Sequence, residues 1–444
     1  MRHAGAGDDV NKALWSALYL EPSLTSKAVI EQYARHFFHG GVRAPAAAPS
    51  RAESVHGLRP GNGNGETLQD AAATGVSLLF SLERNWEGDA ASNVHVLASL
   101  AFAEDLERLV LAKDASNWRV LAHVYRAYYD AHAQARLRFE QQRQANAYEA
   151  IAVAAGSASC DPAEAQAVLL APFDNVRAAK WEGRLHQLAA AINSSSTLCG
   201  GCAGGGMAIL LAQAPLLSLD TLHTPLADHA FLRARLQRIS KLGTVAERRM
   251  ELRSLLTWAN PGPTGFYDQL GVSPRSPRLE LGYGAAADPQ YVFAPLIQFN
   301  EDSRRWPPCG KCGAGDGEPQ RLAWLHWAQT YGDAPLSLRY DGLVADALYV
   351  VRIVYSYQGW GAYPLSRLYA TGATGEKALL HDYMPAPKPT RPLEFAVPQR
   401  VTSGGTVRIE CRQPPGSAQD GSGRGCLISE VWLVTNATST AVVG

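Results

Sequence analysis

One change of period constrains this chain more than any other feature. Up to the stretch Trp258-Ala-Asn-Pro-Gly-Pro-Thr-Gly-Phe-Tyr-Asp-Gln-Leu-Gly271, apolar residues recur at three- and four-residue spacing; beyond it they alternate or run in short blocks. The stretch itself cannot be helical, because Pro261, Gly262, Pro263 and Gly265 interrupt the backbone hydrogen bonds. A plain linker has little use for Trp258, Phe266 and Tyr267. The expectation is a joint between a helical and a β-rich part, with these three rings largely buried.

The helical part is expected over residues 1–275. Leu14, Trp15, Leu18 and Tyr19 share one helix face, and Val29, Ile30, Tyr33 and Phe37 share another behind a cap at Thr25 or Ser26. A helix of about forty residues is expected from Asn117 onward, with Leu121, Val124, Tyr125, Tyr128 and Tyr129 on one side. Residues 40–67 are rich in Gly, Pro and Ala and lack periodicity, which reads as a mobile insertion. Over 276–444, seven short runs, among them LYVVRIVYSY, TVRIECRQ and CLISEVWLV, are separated by Gly, Pro, Asp and Ser, with an insertion at about 302–320. The fold class expected is α+β and multidomain: an α-helical bundle domain, then an antiparallel β-sandwich of jelly-roll, carbohydrate-binding-like type.

Composition excludes several function classes. Forty-one basic and 41 acidic residues give a formal charge of zero, so no basic excess calls for nucleic acid. No apolar run approaches the ~20 residues of a membrane span, and the start, MRHAGAGDDVNK, has no apolar core of a signal peptide. Compartment stays open, with secretion expected if a leader precedes this start. Seven cysteines do not suggest a disulfide scaffold. Cys411 and Cys426 flank the last hairpin and read equally as buried thiols or a disulfide.

Chemistry-bearing residues fall into four groups. Cys199 and Cys202, with Cys309 and Cys312, form two C-x-x-C pairs that together offer four thiolates to zinc. The 106 residues between Cys202 and Cys309 exceed common zinc-ribbon spacing, so no cofactor is the leading expectation. Paired carboxylates are the tools of glycoside hydrolysis. The candidates on irregular segments are Glu83, Glu87 and Asp268, beside Asp89 and Asp220. Capping and an ion pair are the favoured explanation of Glu83 and the rest of LERNWEG, and a turn or cap is an alternative for Asp268. Tyr125, Arg126 and Tyr129 can line a sugar cleft, although a tyrosine stripe at helical spacing also fits a core. Tyr357, Trp360 and Tyr363 crowd one loop of the expected sandwich, where rings either stack on sugars or pack against the fold.

Several segments carry a resemblance. ALWSALYLEPSLTSKAVIEQYARHFF resembles the helical segment that follows the catalytic barrel in some large polysaccharide-active proteins. LERNWEGD, NWRVLAHVYRAYYDAHAQARL, SLDTLHTPLADHAFL, WANPGPTGFYDQLG, DAPLSLRYDGL and GRGCLISEVWLV are together similar to the C-terminal part of long glycoside-hydrolase-like proteins of environmental bacteria. The resemblance spans nearly the whole chain except 40–67, 197–206 and 302–320. It implies a hexosaminidase-like or α-glucuronidase-like barrel upstream, which would hold the family's acid/base carboxylates. None of those residues maps onto this sequence. The expected function is therefore a non-catalytic part that supports a catalytic barrel, binds carbohydrate, or both. The partners are carbohydrate or the upstream domain, with no nucleic acid and no membrane. Two alternatives stand: a complete carbohydrate-active enzyme with a cleft between helices and sandwich, and a protein-interaction module.

Overall fold

A computed structural model describes residues 6–38, 64–85, 87, 89–197, 219, 222–223, 225–270, 276–280, 290–293, 321–331, 334–356, 365–387, 390–416 and 424–435. The chain divides into two compact units, one drawn from Met1–Phe139 and Pro172–His223, the other from Glu140–Ala171 and Thr224–Gly444. The change from helices to strands falls inside the second unit, since its described residues hold both kinds of element. The fold is α+β, with helices first and a sandwich of antiparallel sheets toward the C-terminus.

In the first unit, α1 (Ala6–Leu20), α2 (Ser26–Phe37), α3 (Asn64–Arg84) and α4 (His95–Leu106) precede the long α5 (Trp118–Gly156). A single π turn, Glu107–Leu111, extends α4. The start of α3 lies inside the span expected to be an aperiodic insertion; residues 39–63 lie outside the described residues. Thr25 caps α2, its hydroxyl accepting from Ala28 N at 3.2 Å. Val29, Ile30, Tyr33 and Ala34 are the buried face of α2. Phe38 is fully buried beside α3, and a Cβ on Gly75 would lie 2.1 Å from its ring, so only glycine fits there. α5 is buried on nearly every side between Val120 and Tyr125, as befits the central helix of a bundle. Tyr125 and Tyr129 belong to this core, their rings stacked with centroids 6.5 Å apart. α7 (Val176–Thr197) completes the core through Ala178, Trp181, Leu185 and Leu188.

The second unit begins with the last part of α5 and α6 (Ala163–Leu169), and resumes with α8 (His229–Ile239) and α9 (Val245–Leu256). Ile151, Leu169, Leu232, Leu236, Leu252 and Leu255 pack these helices together. α9 opens with a full capping box between Thr244 and Glu247. Among the described residues ten strands follow: β1 (Phe266–Gln269), β2 (Gln290–Phe293), β3 (His326–Tyr331), β4 (Leu336–Asp341), β5 (Tyr349–Tyr355), β6 (Leu365–Gly372), β7 (Lys377–Pro385), β8 (Leu393–Val397), β9 (Thr406–Arg412) and β10 (Arg424–Thr435). One sheet has the order β2-β3-β10-β5-β8, with β1 also on β10; the other has the order β4-β9-β6-β7.

Every ladder among the described residues is antiparallel, and the pairs β3/β10, β4/β9, β5/β8 and β6/β7 are nested, closed by β5/β10 and β6/β9. A long hairpin folded over itself in this way is a jelly roll. Its two sheets share one core, in which Leu338, Tyr340, Val351, Ile353, Ile409 and Val431 are buried. Cys411 on β9 and Cys426 on β10 form a disulfide, so it ties one sheet to the other and settles the choice left open by the sequence.

The opening stretch is part of this second unit. Gly262 follows Pro261 with φ 83°, and Gly265 N bonds back to Gly262 O, so a tight turn delivers the chain into β1. Phe266 and Tyr267 then pair with Leu433 and Trp432 of β10. Trp258, Phe266 and Tyr267 are half-buried rather than fully enclosed. Trp258 and Tyr267 pack against a small core of Trp324, Trp432, Val350, Val354 and Val434. Asp268, expected in a turn or cap, is instead a buried strand residue.

Candidate functional site

Among the described residues several carboxylates are buried, including Glu140, Asp268, Glu430 and Asp130, and the last two gather polar side chains from several elements. The first is Glu430, fully buried on β10. A register shift in the β10/β5 ladder between Ile428 and Glu430 marks a bulge. Cys426 and Ile428 face the jelly-roll core before it; Val431 and Leu433 do so after it. Glu430 is thereby turned to the other face, beside Trp432 and Val434. Its Oε1 accepts from Tyr267 Oη at 2.5 Å, Arg321 Nη2 at 3.3 Å and Trp258 Nε1 at 3.4 Å; its Oε2 accepts from Trp324 Nε1 at 2.7 Å. Arg321 also reaches Asp228 at 3.6 Å, and its guanidinium lies 4.8 Å from the Trp258 ring centre. Burial pushes the Tyr267 hydroxyl's pKa far up, reinforced by the Glu430 charge. Four donors on two oxygens leave Glu430 committed to holding elements together.

The second is Asp130, buried on α5 in the first unit. Asn85 Nδ2 donates to its Oδ2 at 2.9 Å, and Arg126 Nε stands 3.8 Å from the same oxygen. Its Oδ1 is buried without a hydrogen-bond partner. Burial pushes the carboxyl up to about 6, opposed by Arg126 and Asn85 and assisted by Glu83. Arg126 is shared: Nη1 pairs with Glu83 at 3.1 Å, and Nη2 donates to Leu82 O at 3.0 Å. Behind Asn85, Ser99 Oγ donates to its Oδ1 at 2.8 Å. A carboxyl raised to about 6 exchanges its proton between mildly acidic and neutral pH.

Asp130 is one member of a polar stripe. Arg126, Asp130, Gln134 and Arg138 follow one another at four-residue spacing on α5, and each bonds the segment Leu82–Asn93. Gln134 Nε2 donates to Ala90 O at 2.9 Å and to Asn93 O at 2.7 Å, and Arg138 donates to Ala91 O. Asn93 ties the segment to itself, donating to Arg84 O at 2.7 Å and Glu87 O at 2.8 Å. Sequence reasoning missed this stripe, because it sought apolar rather than polar recurrence. The signal was there in the i, i+4 spacing.

The residues expected from sequence are distributed as follows. Glu83 and Glu87 are exposed at the end of α3, Glu83 paired with Arg126 and Glu87 with Arg84 at 3.5 Å. Asp268 is buried, and its Oδ1 accepts from Ser276 Oγ at 2.7 Å and Arg278 Nη1 at 2.9 Å. Tyr125 and Tyr129 lie in the helical core, as the spacing also allowed, while Arg126 is drawn to Glu83. Tyr357, Trp360, Tyr363, Cys199, Cys202, Cys309, Cys312 and Asp220 lie outside the described residues. Among the described residues, no group of three or more His, Cys, Asp or Glu side chains is placed to hold a metal ion, and no helix is long and apolar enough to cross a membrane.

No protein-family model matches this chain, and no curated protein does. Among solved structures it is similar to a family GH115 4-O-methyl-alpha-glucuronidase with specificity for decorated arabinogalactans. The identity is 13% and the TM-score 0.21, over 76% of this chain and 44% of that protein, so the chain spans less than half of that protein's length.

Proposed function

We propose that this chain is a non-catalytic part of a glycoside-hydrolase-like protein, in which the helices and jelly roll support a catalytic barrel, bind carbohydrate, or both. The observation that carries the reading is the pairing of the candidate acids. Glu83, Glu87 and Asp268 each have an arginine partner, Arg126, Arg84 and Arg278 respectively. A glycosidase instead sets two carboxyl groups across a gap of ~5–9 Å, one held neutral and one ionised. An acid neutralised by its own arginine serves structure better than proton transfer to a leaving group. In this reading the partners are a glycan and an upstream catalytic domain, and no cofactor is needed.

A second reading, a complete carbohydrate-active enzyme, draws on Asp130, whose carboxyl is pushed up to about 6. A chromogenic glycoside panel and a glycan array on the purified chain separate the two. The expected outcome is no turnover above background, and glycan binding that falls in Trp360→Ala. Turnover lost in Asp130→Asn or Asp268→Asn would favour the enzyme.

A further inference from the structure

We propose that the attachment of Asn85 and residues 89–93 to α5 is a proton-controlled latch, closed when Asp130 is neutral and loosened when it is charged. The inference is independent of the function proposed above.

The geometry singles out Asp130. The described residues between α3 and α4 are held to α5 by Asp130, Gln134 and Arg138, while Arg126 bonds Leu82 O in the last turn of α3. Gln134 carries no charge, and the arginines keep theirs throughout the physiological range. Asp130 is thus the link in the stripe that changes charge between mildly acidic and neutral pH. Among the described residues, the charged groups acting on it are Arg126 on its own helix and Glu83 at the end of α3, while Asn85 after α3 supplies a neutral polar contact that Ser99 on α4 supports from behind.

When Asp130 is ionised, Arg126 is divided between two carboxylates, and a negative charge sits in the core with Oδ1 unpaired. A buried charged oxygen without a partner is costly, and the cost is relieved when water reaches it. Water reaches it by detachment of Asn85 and the residues that follow. When Asp130 is neutral, Arg126 pairs with Glu83 alone and no unpaired charge remains buried. The sign follows from linkage. A carboxyl raised from 3.8 to about 6 in the closed form binds its proton more tightly there than in the open form. The closed segment is therefore stabilised fully below the ordinary aspartate range, and that stabilisation is lost as pH rises through about 6.

Hydrogen–deuterium exchange tests this on the full chain. The amides of Asn85, Glu87 and residues 89–94 are followed at pH 5 and pH 7.5, corrected for intrinsic rates and referenced to the interior of α5. Their protection is expected to fall about tenfold at the higher pH, the size that linkage gives for this displacement. In Asp130→Asn, which copies the neutral form, protection should stay high and flat across the same range. Glu83→Gln removes the acid on the far side of Arg126 and should move the transition to lower pH without abolishing it. The Asp130 ¹³Cγ titration in the unmodified chain should share the loop's midpoint, which provides a test that does not depend on any variant folding. Protection that does not change with pH would overturn the latch. So would an equal fall in Asp130→Asn, or an Asp130 midpoint near that of an exposed aspartate.

Discussion

Glu430 illustrates how a single residue can be stabilising and conspicuous at once. A carboxyl group with no exposure is satisfied there by donation from Tyr267, Trp258, Trp324 and Arg321. The donors come from different places: Trp258 follows α9, Tyr267 sits on β1, and Arg321 and Trp324 precede β3. Trp432 adds its own bond to Trp258 O at 2.8 Å. Removing the carboxylate leaves Arg321 buried with Asp228 as its remaining ionic partner and strands two indole N–H groups. Glu430→Ala is expected to destabilise the second unit by about 3–5 kcal/mol, the usual cost of breaking a buried pair. Urea unfolding followed by tryptophan fluorescence measures it. A loss under about 1 kcal/mol would mean that the aromatic packing holds the site without the acid.

At the scale of elements, α5 is informative because its two kinds of residue do different work. Val120, Leu121, Val124 and Tyr125 fill the core, whereas Arg126 bonds Leu82 O at the end of α3, and Asp130, Gln134 and Arg138 satisfy the Asn85 side-chain amide and the carbonyls of Ala90, Ala91 and Asn93 before α4. Gln134→Ala is expected to cost about 1–3 kcal/mol, since Ala90 O and Asn93 O lose their donor while partly or fully shielded. Gln134→Glu should cost at least as much, because it replaces the donating amide with an acceptor facing two carbonyls. Thermal unfolding of both variants checks this, and an unchanged melting temperature in each would show that water replaces the amide freely.

The same elements show what could be read beforehand. β5, β9 and β10 were legible from their apolar runs, and the length of α5 from its periodicity. β7 was not, because this edge strand mixes Lys377, His381 and Asp382 with apolar residues across two register shifts and never alternates cleanly. Glu430 was hidden for a related reason. Strict period-two counting puts it on the same face as Cys426 and Ile428, and only the bulge reverses that. Asp130 was hidden because burial in a bundle is a property of neighbours distant in sequence, such as Asn85 and Ser99.

For the whole second unit, the decisive long-range feature is the way the jelly roll closes on itself. Its nested pairs bring β3 to β10 and β4 to β9, so the last two strands must return to partners laid down much earlier in the chain. Non-local pairing of this kind carries a large closure cost before any contact offsets it. The Cys411–Cys426 disulfide acts at that point, since β9 and β10 belong to different sheets and the bond fixes their separation across the core. A covalent loop spanning a sequence separation of 15 restricts the unfolded chain, an effect worth about 3 kcal/mol in the chain-entropy account. The double variant Cys411→Ala, Cys426→Ala is thus expected to keep the jelly roll but lose about 2–4 kcal/mol, part of it from the small voids left in a fully buried site. Denaturant titrations of the two proteins, oxidised and after reduction, measure the difference. Reduction should lower the unmodified protein to about the level of the variant and leave the variant unchanged. Because such bonds persist in oxidising surroundings, material expressed in an oxidising compartment should also yield a linked Cys411–Cys426 peptide on non-reducing digestion. Separate, freely alkylated peptides from that material would show that the jelly roll closes by packing alone.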